Sequence, residues 1–194
     1  PLLKQQSNQN KIIINFKNGM SANSLVKLIS KKHPLNCKLC FVIYLRLLPM
    51  SHGFKAGIYQ FNSDISPSIL VDKILNGDVL KQKLTITEGQ TSSKVIEELY
   101  AKQFIKKSSL TINKFQKLCI LCSKNIEGAL LADTYFYLAG SKAIDVLMRS
   151  HNSLTKELEQ IWQNRDANLP YKNSLELLIA ASIIEKETAS NSEK

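Results

Sequence analysis

Two carboxylates lie two residues apart near the C-terminal end of the chain. They are Glu185 and Glu187, in the stretch NSLELLIAASIIEKETASNSEK that runs from Asn173 to Lys194. The preceding aliphatic residues predict a helix over 174–188 that ends in these acidic side chains. A carboxyl group at the point where an aliphatic surface opens onto a cleft can deliver a proton to a substrate. Solvated charges at a helix end are the plainer interpretation.

The helix lets only one of the two glutamates face a given cleft. Side chains two positions apart on an α-helix point about 200° apart around the axis. Apolar residues of the helix lie on the faces of both Glu185 and Glu187, so periodicity alone leaves the choice open. Burial against aliphatic side chains and the negative end of the helix dipole both favour a protonated carboxyl group, as a proton donor requires.

The four cysteines form two Cys-x-x-Cys pairs, Cys37/Cys40 and Cys119/Cys122. Two such pairs outline a zinc site, but the gap between them far exceeds the usual spacing of about 15 to 20 residues. Both pairs lie in apolar stretches that predict helix, NCKLCFVIYLRLL and FQKLCILCSK. We therefore expect free cysteines buried in the core, which resist alkylation and bind no metal. Disulfide bonds and a zinc site are the alternatives.

The net charge of +10 over 194 residues favours acidic partners such as nucleic acid, anionic lipid headgroups or a carboxylate-bearing polymer. The lysines are spread along the chain without a basic block, which argues against nucleic acid. No apolar run approaches the roughly 20 residues that span a bilayer. Because the chain begins with Pro1 and not with methionine, any leader or anchor would lie upstream. The three histidines are scattered, and we assign them no role.

A strand, tight turn, cap and amphipathic helix recur along the chain. Residues 1–10 are polar and predict a disordered arm. The strand KIIINF follows, then a turn at Gly19 and a helix capped by Ser21. In LTITEGQTSSKVIEELY, Gly89 takes the place of Gly19 in the turn and Thr91 takes the place of Ser21 as the helix cap. One such unit cannot bury its own apolar face, so we expect the copies to pack against further elements.

The pattern of elements predicts an α+β fold. Residues 11–80 read as strand, helix, helix and strand, and a looser third copy of the repeat starts a further helix at Ser66. The β-α-α-β order is like that of a LysM-type glycan-binding module, with a purely structural lobe as the alternative. Residues 81–194 predict an incomplete, mostly helical α+β catalytic domain. Within it, EGALLADTYFYLAG (127–140) predicts an irregular binding loop.

Five stretches together resemble the YceG-like family of endolytic murein transglycosylases. They are SHGFKAGIYQF, LTITEGQT, EGALLADTYFY, LPYK and AASIIEKETA, in the family's order over about residues 12–190. Ala132 stands where the family usually has proline. The family also continues beyond the EKET helix with an Asn/Arg-containing helix and a QTDPT-like segment. The resemblance thus implies a fragment that lacks both the N-terminal membrane anchor and the C-terminal part of the catalytic domain. We expect little or no activity from such a fragment.

The resemblance implies cleavage of the β-1,4 bond between N-acetylmuramic acid and N-acetylglucosamine in nascent peptidoglycan. The product carries a 1,6-anhydro end, and glycan strand elongation stops. It also implies a single-pass protein of the bacterial inner membrane, with an anchor upstream of Pro1 and this region in the periplasm. Glycan strands and cell-wall synthases are the expected partners, with no nucleic acid, cofactor or metal. A non-catalytic module that binds peptidoglycan or a membrane surface is the alternative.

The resemblance also implies roles for particular residues. The second glutamate of EKET, Glu187, takes the place of the family's catalytic acid/base, with Glu185 as the alternative. Asp133, Thr134 and Tyr135 are candidates to line the saccharide cleft, because aromatic faces stack on sugar rings and short polar groups bond hydroxyls. The alternatives are that Tyr135 packs in the core and that Asp133 caps a turn.

Overall fold

A computed structural model describes residues 11–31, 37–47, 54–62, 65–108, 111–122 and 126–187. The predicted arm, residues 1–10, lies outside the described residues. Helices and short strands mix in an α+β fold, as predicted. The chain forms two compact units. The first runs to Gln82 and includes Leu138–Gly140, and the second consists of Lys83–Tyr137 and the chain from Ser141 onward.

The first unit contains five elements. They are β1 (Lys11–Phe16), α1 (Ala22–Ser30), α2 (Lys38–Leu47), β2 (Gly57–Asn62) and α3 (Pro67–Asn76). Strands β1 and β2 pair in antiparallel fashion, with Lys11 opposite Asn62 and Phe16 opposite Gly57. The β-α-α-β order is the order that the sequence predicts. A relationship to LysM modules rests on this order alone and stays a prediction.

Local capping signals set the helix starts of the first unit. The Ser21 hydroxyl accepts a hydrogen bond from the Ser24 amide at 3.3 Å, and Ser66 caps α3 in the same way. The three helices contribute buried apolar residues to one core that they share with the sheet, because their apolar positions recur at helical spacing. The core of this unit includes Ile14, Phe16, Leu25, Ile29, Leu45, Tyr59, Phe61, Leu70 and Ile74.

The remaining elements belong wholly or mainly to the second unit. They are β3 (Lys81–Thr85), α4 (Ser92–Ala101), α5 (Thr111–Leu118), β4 (Thr134–Leu138), α6 (Ala143–Gln163) and α7 (Ser174–Glu187). Strands β3 and β4 form a two-stranded antiparallel sheet. The core of this unit includes Leu84, Val95, Leu99, Phe115, Tyr135, Tyr137, Val146 and Leu147.

The stretch 127–140 is not irregular throughout, which corrects the loop prediction. Its second half is strand β4, in which Tyr135 and Tyr137 are buried while Phe136 and Leu138 are exposed. Such alternation is typical of a strand with one face on a core. The aromatic residues that suggested a binding loop are therefore in part strand residues that fill the core.

The expectation of free core cysteines is wrong. Cys37 is bonded to Cys40, and Cys119 to Cys122. The Cα atoms of each pair lie 5.3 and 5.2 Å apart, within the range that a disulfide spans. The first pair is exposed and the second is buried. Helix α5 ends at Leu118, so the second pair lies in the turn after the helix and not within it.

Candidate functional site

A cavity of about 370 Å³ opens in the second unit, and we call it the α7 cavity. Three parts of the chain line it. The turn before α4 and the first residues of that helix contribute Ile86–Ser92 and Val95. The loop before β4, together with Leu121, contributes Glu127, Gly128, Leu130 and Ala132. One face of α7 contributes Leu175, Leu178, Ile179, Ser182 and Glu185.

The turn before α4 is held by its own side chains. Gly89 has a φ of +71°, a conformation that glycine adopts without strain. The Gln90 side-chain oxygen accepts a hydrogen bond from the Thr87 amide at 3.1 Å, and its nitrogen donates to Glu98 at 2.9 Å. Thr91 caps α4 by accepting from the Lys94 amide. These bonds fix the backbone that forms one wall of the cavity.

A carboxylate joins the second wall to the first. The Ser92 amide donates to Glu127 at 3.1 Å, and the Ser92 hydroxyl donates to the Ile126 carbonyl at 2.8 Å. A carboxylate is stabilised at the N-terminus of a helix because the free amide groups and the helix dipole are positive there. The loop that begins at Glu127 is thereby tied to the start of α4.

Helix α7 forms the third wall of the cavity, and two hydrogen bonds similar to a capping box hold its start. The Glu176 amide donates to the Asn173 side chain at 2.9 Å, and the Lys172 amide donates to the Glu176 carboxylate at 2.8 Å. The lining residues of α7 follow at helical spacing from Leu175 to Glu185. The helix face that meets the cavity therefore ends in a carboxylate.

The structure separates the two glutamates that the sequence singled out. Glu185 lines the α7 cavity, whereas Glu187 is exposed and is not among the lining residues. This is the outcome that helix geometry requires for two side chains about 200° apart. Glu187 is the last described residue of the chain, so its surroundings are described on the N-terminal side only. The acid/base role of Glu187 stays a prediction.

Two further carboxylates of the α7 cavity were not foreseen, Glu88 and Glu127. Each directly precedes a glycine with positive φ, Gly89 and Gly128. A Glu-Gly pair at a turn between apolar segments is the sequence signal that could have indicated these two carboxylates. Recognition of the site would still have required the contact between Ser92 and Glu127, which lie far apart in the sequence.

The three predicted saccharide contacts lie beside the cavity wall and not in it. The Asp133 carboxylate accepts from the Thr134 amide at 2.6 Å, and the Thr134 hydroxyl lies 3.1 Å from that of Thr85. Tyr135 is buried and donates to the Leu131 carbonyl at 3.0 Å. Burial raises the pKa of Tyr135 above its usual value. These contacts are structural, and a role in sugar binding stays a prediction for all three residues.

One histidine has a role that the sequence did not indicate. His151 is buried, and its Nε2 accepts a hydrogen bond from the Ile120 amide at 3.1 Å. Its Nδ1 therefore carries the proton, and it lies 3.0 Å from the Ala129 carbonyl that accepts it. His151 thus links α6 to two loops. Among the described residues, no group of three or more His, Cys, Asp or Glu side chains is placed to hold a metal ion.

Comparison with known proteins identifies a family and similar solved structures. The model of the YceG-like family matches residues 14–194. A crystal structure of a YceG-like protein from Listeria monocytogenes is 23% identical to the chain, with a TM-score of 0.42. The match covers 93% of this chain and 66% of that protein. Comparison with curated proteins gives no match. No helix in the described segments is long and apolar enough to cross a membrane.

Proposed function

Because the chain belongs to the YceG-like family, we propose that it is part of an endolytic murein transglycosylase. The proposed substrate is the glycan strand of nascent peptidoglycan, cut between N-acetylmuramic acid and N-acetylglucosamine. The observation that carries the proposal is the α7 cavity, whose apolar face on α7 runs to a carboxylate within the family's EKET motif. Turns and glycines on the opposite wall leave backbone accessible to a sugar.

The proposed reaction needs one carboxyl group and no water molecule. The protonated carboxyl gives its proton to the glycosidic oxygen as the bond from that oxygen to C1 of N-acetylmuramic acid breaks. The C6 hydroxyl of the same sugar attacks C1 and closes the 1,6-anhydro ring, and its proton passes to the carboxylate. The carboxyl group ends as it began. The second carboxylate of hydrolytic glycosidases is not required, because no water is activated.

We propose Glu187 as this acid/base, with Glu185 as the alternative. The motif supports Glu187, since it is the second glutamate of EKET. The described geometry supports Glu185, since this side chain lines the α7 cavity. Both are exposed, so a bound glycan strand must exclude water from whichever carboxyl reacts. The two glutamates point to different sides of α7, and mutation of one leaves the other in place.

The test compares Glu→Gln variants in the natural protein that carries this chain. Uncrosslinked peptidoglycan is the substrate, and mass spectrometry measures the anhydro-ended products. We expect Glu187→Gln to lower product formation by about 10²- to 10⁴-fold, as loss of a general acid/base does, while Glu185→Gln retains substantial activity. Glu159→Gln, an exposed change on α6, is the matched control. The reverse order for the two α7 variants would transfer the role to Glu185, and unchanged activity in both would contradict the catalytic proposal.

We further propose that this region lies in the periplasm, held at the inner membrane by an upstream helix. Cell-wall synthases are proposed partners. The net charge of +10 supports a position between an anionic membrane and a glycan polymer that carries peptide carboxylates. Fractionation of cells tests this. Recovery of the natural protein from the cytosol without detergent would contradict it.

A second candidate is a non-catalytic module that binds peptidoglycan or a membrane surface. The exposure of Glu187, outside the described lining of the α7 cavity, favours this candidate. Sedimentation with purified peptidoglycan distinguishes the two functions. The module predicts binding without any anhydro product, and with equal affinity in the wild type and both Gln variants.

A further inference from the structure

Four lysines line a second cavity of the second unit, and we call it the lysine cavity. It has a volume of about 320 Å³ and shares no residue with the α7 cavity. Four ammonium-bearing side chains and two hydroxyl-bearing ones surround it, with one aliphatic residue. They are Lys106, Lys107, Lys114, Lys142, Ser108, Thr111 and Ile144. No carboxylate belongs to this lining as far as the described residues form it.

The backbone holds two of these lysines side by side. The Lys106 amide donates to the Ser141 carbonyl at 2.8 Å, and the Ala143 amide donates to the Lys106 carbonyl at 3.1 Å. These bonds form a parallel bridge in which Lys106 and Lys142 are partners. Like charges in neighbouring strand positions repel each other and destabilise the pairing. Both side chains are exposed, so water screens part of this repulsion, and a bound anion would offset more of it.

The starts of two helices carry lysine where an acidic or hydroxyl side chain is preferred. Lys142 is the N-cap of α6 and makes no side-chain capping hydrogen bond. Lys114 lies in the first turn of α5, which has no acidic residue. The N-terminus of a helix is its positive end, so a lysine there is disfavoured. The acidic residue in the first turn of α6, Asp145, lines a different depression.

Within the described parts of the chain, none of these four ammonium groups forms an ion pair with a carboxylate. The ion pair found there joins Lys73 to Asp78, outside this cavity. Two unfavourable arrangements therefore occur in one cavity. Two lysines repel each other across a bridge, and lysines lie at the starts of two helices. Proteins break local rules of this kind mainly at functional sites, where a ligand compensates. The positive charge of the four lysines and the positive ends of the two helices both favour an anion in this cavity.

We propose that the lysine cavity binds a phosphate group, either of a free phosphate compound or of a lipid headgroup. A phosphate monoester carries a charge of about −1.5 to −2 and three acceptor oxygens, which several ammonium groups can share. A single carboxylate has one charge and two oxygens and would leave most of the four lysines uncompensated. The Ser108 and Thr111 side chains, which also line the cavity, offer further polar contacts. The proposal is independent of the transglycosylase reaction.

The first measurement titrates the ¹⁵N-labelled chain with pyrophosphate and follows its amide resonances. Binding in the lysine cavity predicts saturable shifts at Lys106, Thr111 and Ile144. The same ligand should raise the melting temperature, because an anion that binds only the folded state stabilises it. Resonances of the α7 cavity, such as those of Gly89 and Gly128, should not move.

The second measurement separates a local site from the general attraction of a basic protein for anions. The site variant is Lys106→Gln/Lys114→Gln/Lys142→Gln. The control variant is Lys94→Gln/Lys117→Gln/Lys156→Gln, which removes the same charge from lysines that are also exposed but lie outside the cavity. Lys117 lies on the same helix as Lys114, one turn later. We expect the site variant to lose at least about tenfold in affinity and the control variant to stay within about twofold.

The third measurement identifies the source of the phosphate group. Wild type and both variants are sedimented with phosphatidic acid vesicles, whose headgroup is a phosphate monoester, and with phosphatidylcholine vesicles. A lipid headgroup predicts that the site variant loses binding to phosphatidic acid while the control keeps it. A free phosphate compound predicts tight pyrophosphate binding with equal vesicle binding by both variants. Equal losses in the two variants with every probe, or no saturable binding of either probe by the wild type, would overturn the proposal.

Discussion

A strand, a glycine turn and a hydroxyl cap follow one another once in each unit, and only the copy in the second unit belongs to the α7 cavity. In the first copy a strand leads to Gly19, with φ of +77°, and to the helix cap Ser21. In the second copy a strand leads to Gly89, with φ of +71°, and to the cap Thr91. The two turns agree in local structure. What differs is the packing around the second turn, where Glu127 and α7 supply two more walls. Local sequence thus makes the turn, and distant chain segments make it a site.

The largest expected effect is shared by the two copies, because both helices bury an equivalent aliphatic residue. Ile29 and Leu99 are each fully buried. We expect Ile29→Ala and Leu99→Ala each to lower the free energy of unfolding by about 2 to 5 kcal/mol. Urea denaturation measures this. A cost below about 1 kcal/mol for one of them would mean that the two copies are not equivalent in their cores.

The glycine turns should respond alike in stability and differently in function. A Cβ at Gly19 or Gly89 meets no atom within 4 Å, so only the positive φ opposes alanine. Gly19→Ala and Gly89→Ala should each cost about 1 to 2 kcal/mol. Only Gly89→Ala should weaken binding of glycan fragments, measured by calorimetry, because Gly89 lines the α7 cavity. Equal glycan binding by the two variants would show that the turn at Gly89 is not part of the glycan site.

Ser92 is the residue that most clearly distinguishes the second copy, since the first has alanine at the equivalent helix start, Ala22. Ser92→Ala removes the bond from the hydroxyl to the Ile126 carbonyl and should cost about 1 kcal/mol. The loop that begins at Glu127 should then exchange its amide hydrogens faster. Hydrogen exchange measures this, and unchanged rates at 126–132 would show that the hydroxyl does not secure the loop.

Alkaline pH should destabilise both units through buried tyrosines. Burial raises the pKa of Tyr59 in the first unit and of Tyr135 and Tyr137 in the second, above the usual 10.0. The folded protein holds these protons more tightly than the unfolded chain does. Their contribution to the free energy of unfolding is therefore complete below pH 10 and is lost as pH rises through the higher pKa values of the folded state. Tyrosinate absorbance should therefore rise together with unfolding. Tyrosines that titrate near pH 10 in the folded chain would contradict this.

Much of the fold was predictable because its signals are local. Hydroxyl caps at Ser21, Ser66 and Thr91 and apolar residues at helical spacing predict helices that the structure contains. Strand β4 was missed, because its alternation is short and its pairing with β3 depends on residues far away in the sequence. Cys119 and Cys122 were misjudged because helix-like hydrophobicity continues past Leu118, where the helix ends.

The site was predictable only at its edges. The motif placed a carboxylate at the end of α7, but it did not show that Glu185 faces the α7 cavity. Glu127 is recognised as a residue of the site through its hydrogen bond with the Ser92 amide. No rule of sequence spacing relates these two residues. The lysine cavity likewise depends on a bridge between Lys106 and Lys142. Chemistry assembled from separate segments is visible only after the chain has folded.

The most direct test of the central claim compares the two turns in the presence of a glycan. Amide resonances of the natural protein are followed as an uncrosslinked glycan tetrasaccharide is added, with the Glu187→Gln and Glu185→Gln double variant used to prevent cleavage. The account predicts saturable shifts in the second turn, from Thr87 to Ser92, and none in the first turn, from Lys17 to Ser21. Shifts confined to the first turn, or equal in both, would contradict the claim that the α7 cavity is the glycan site.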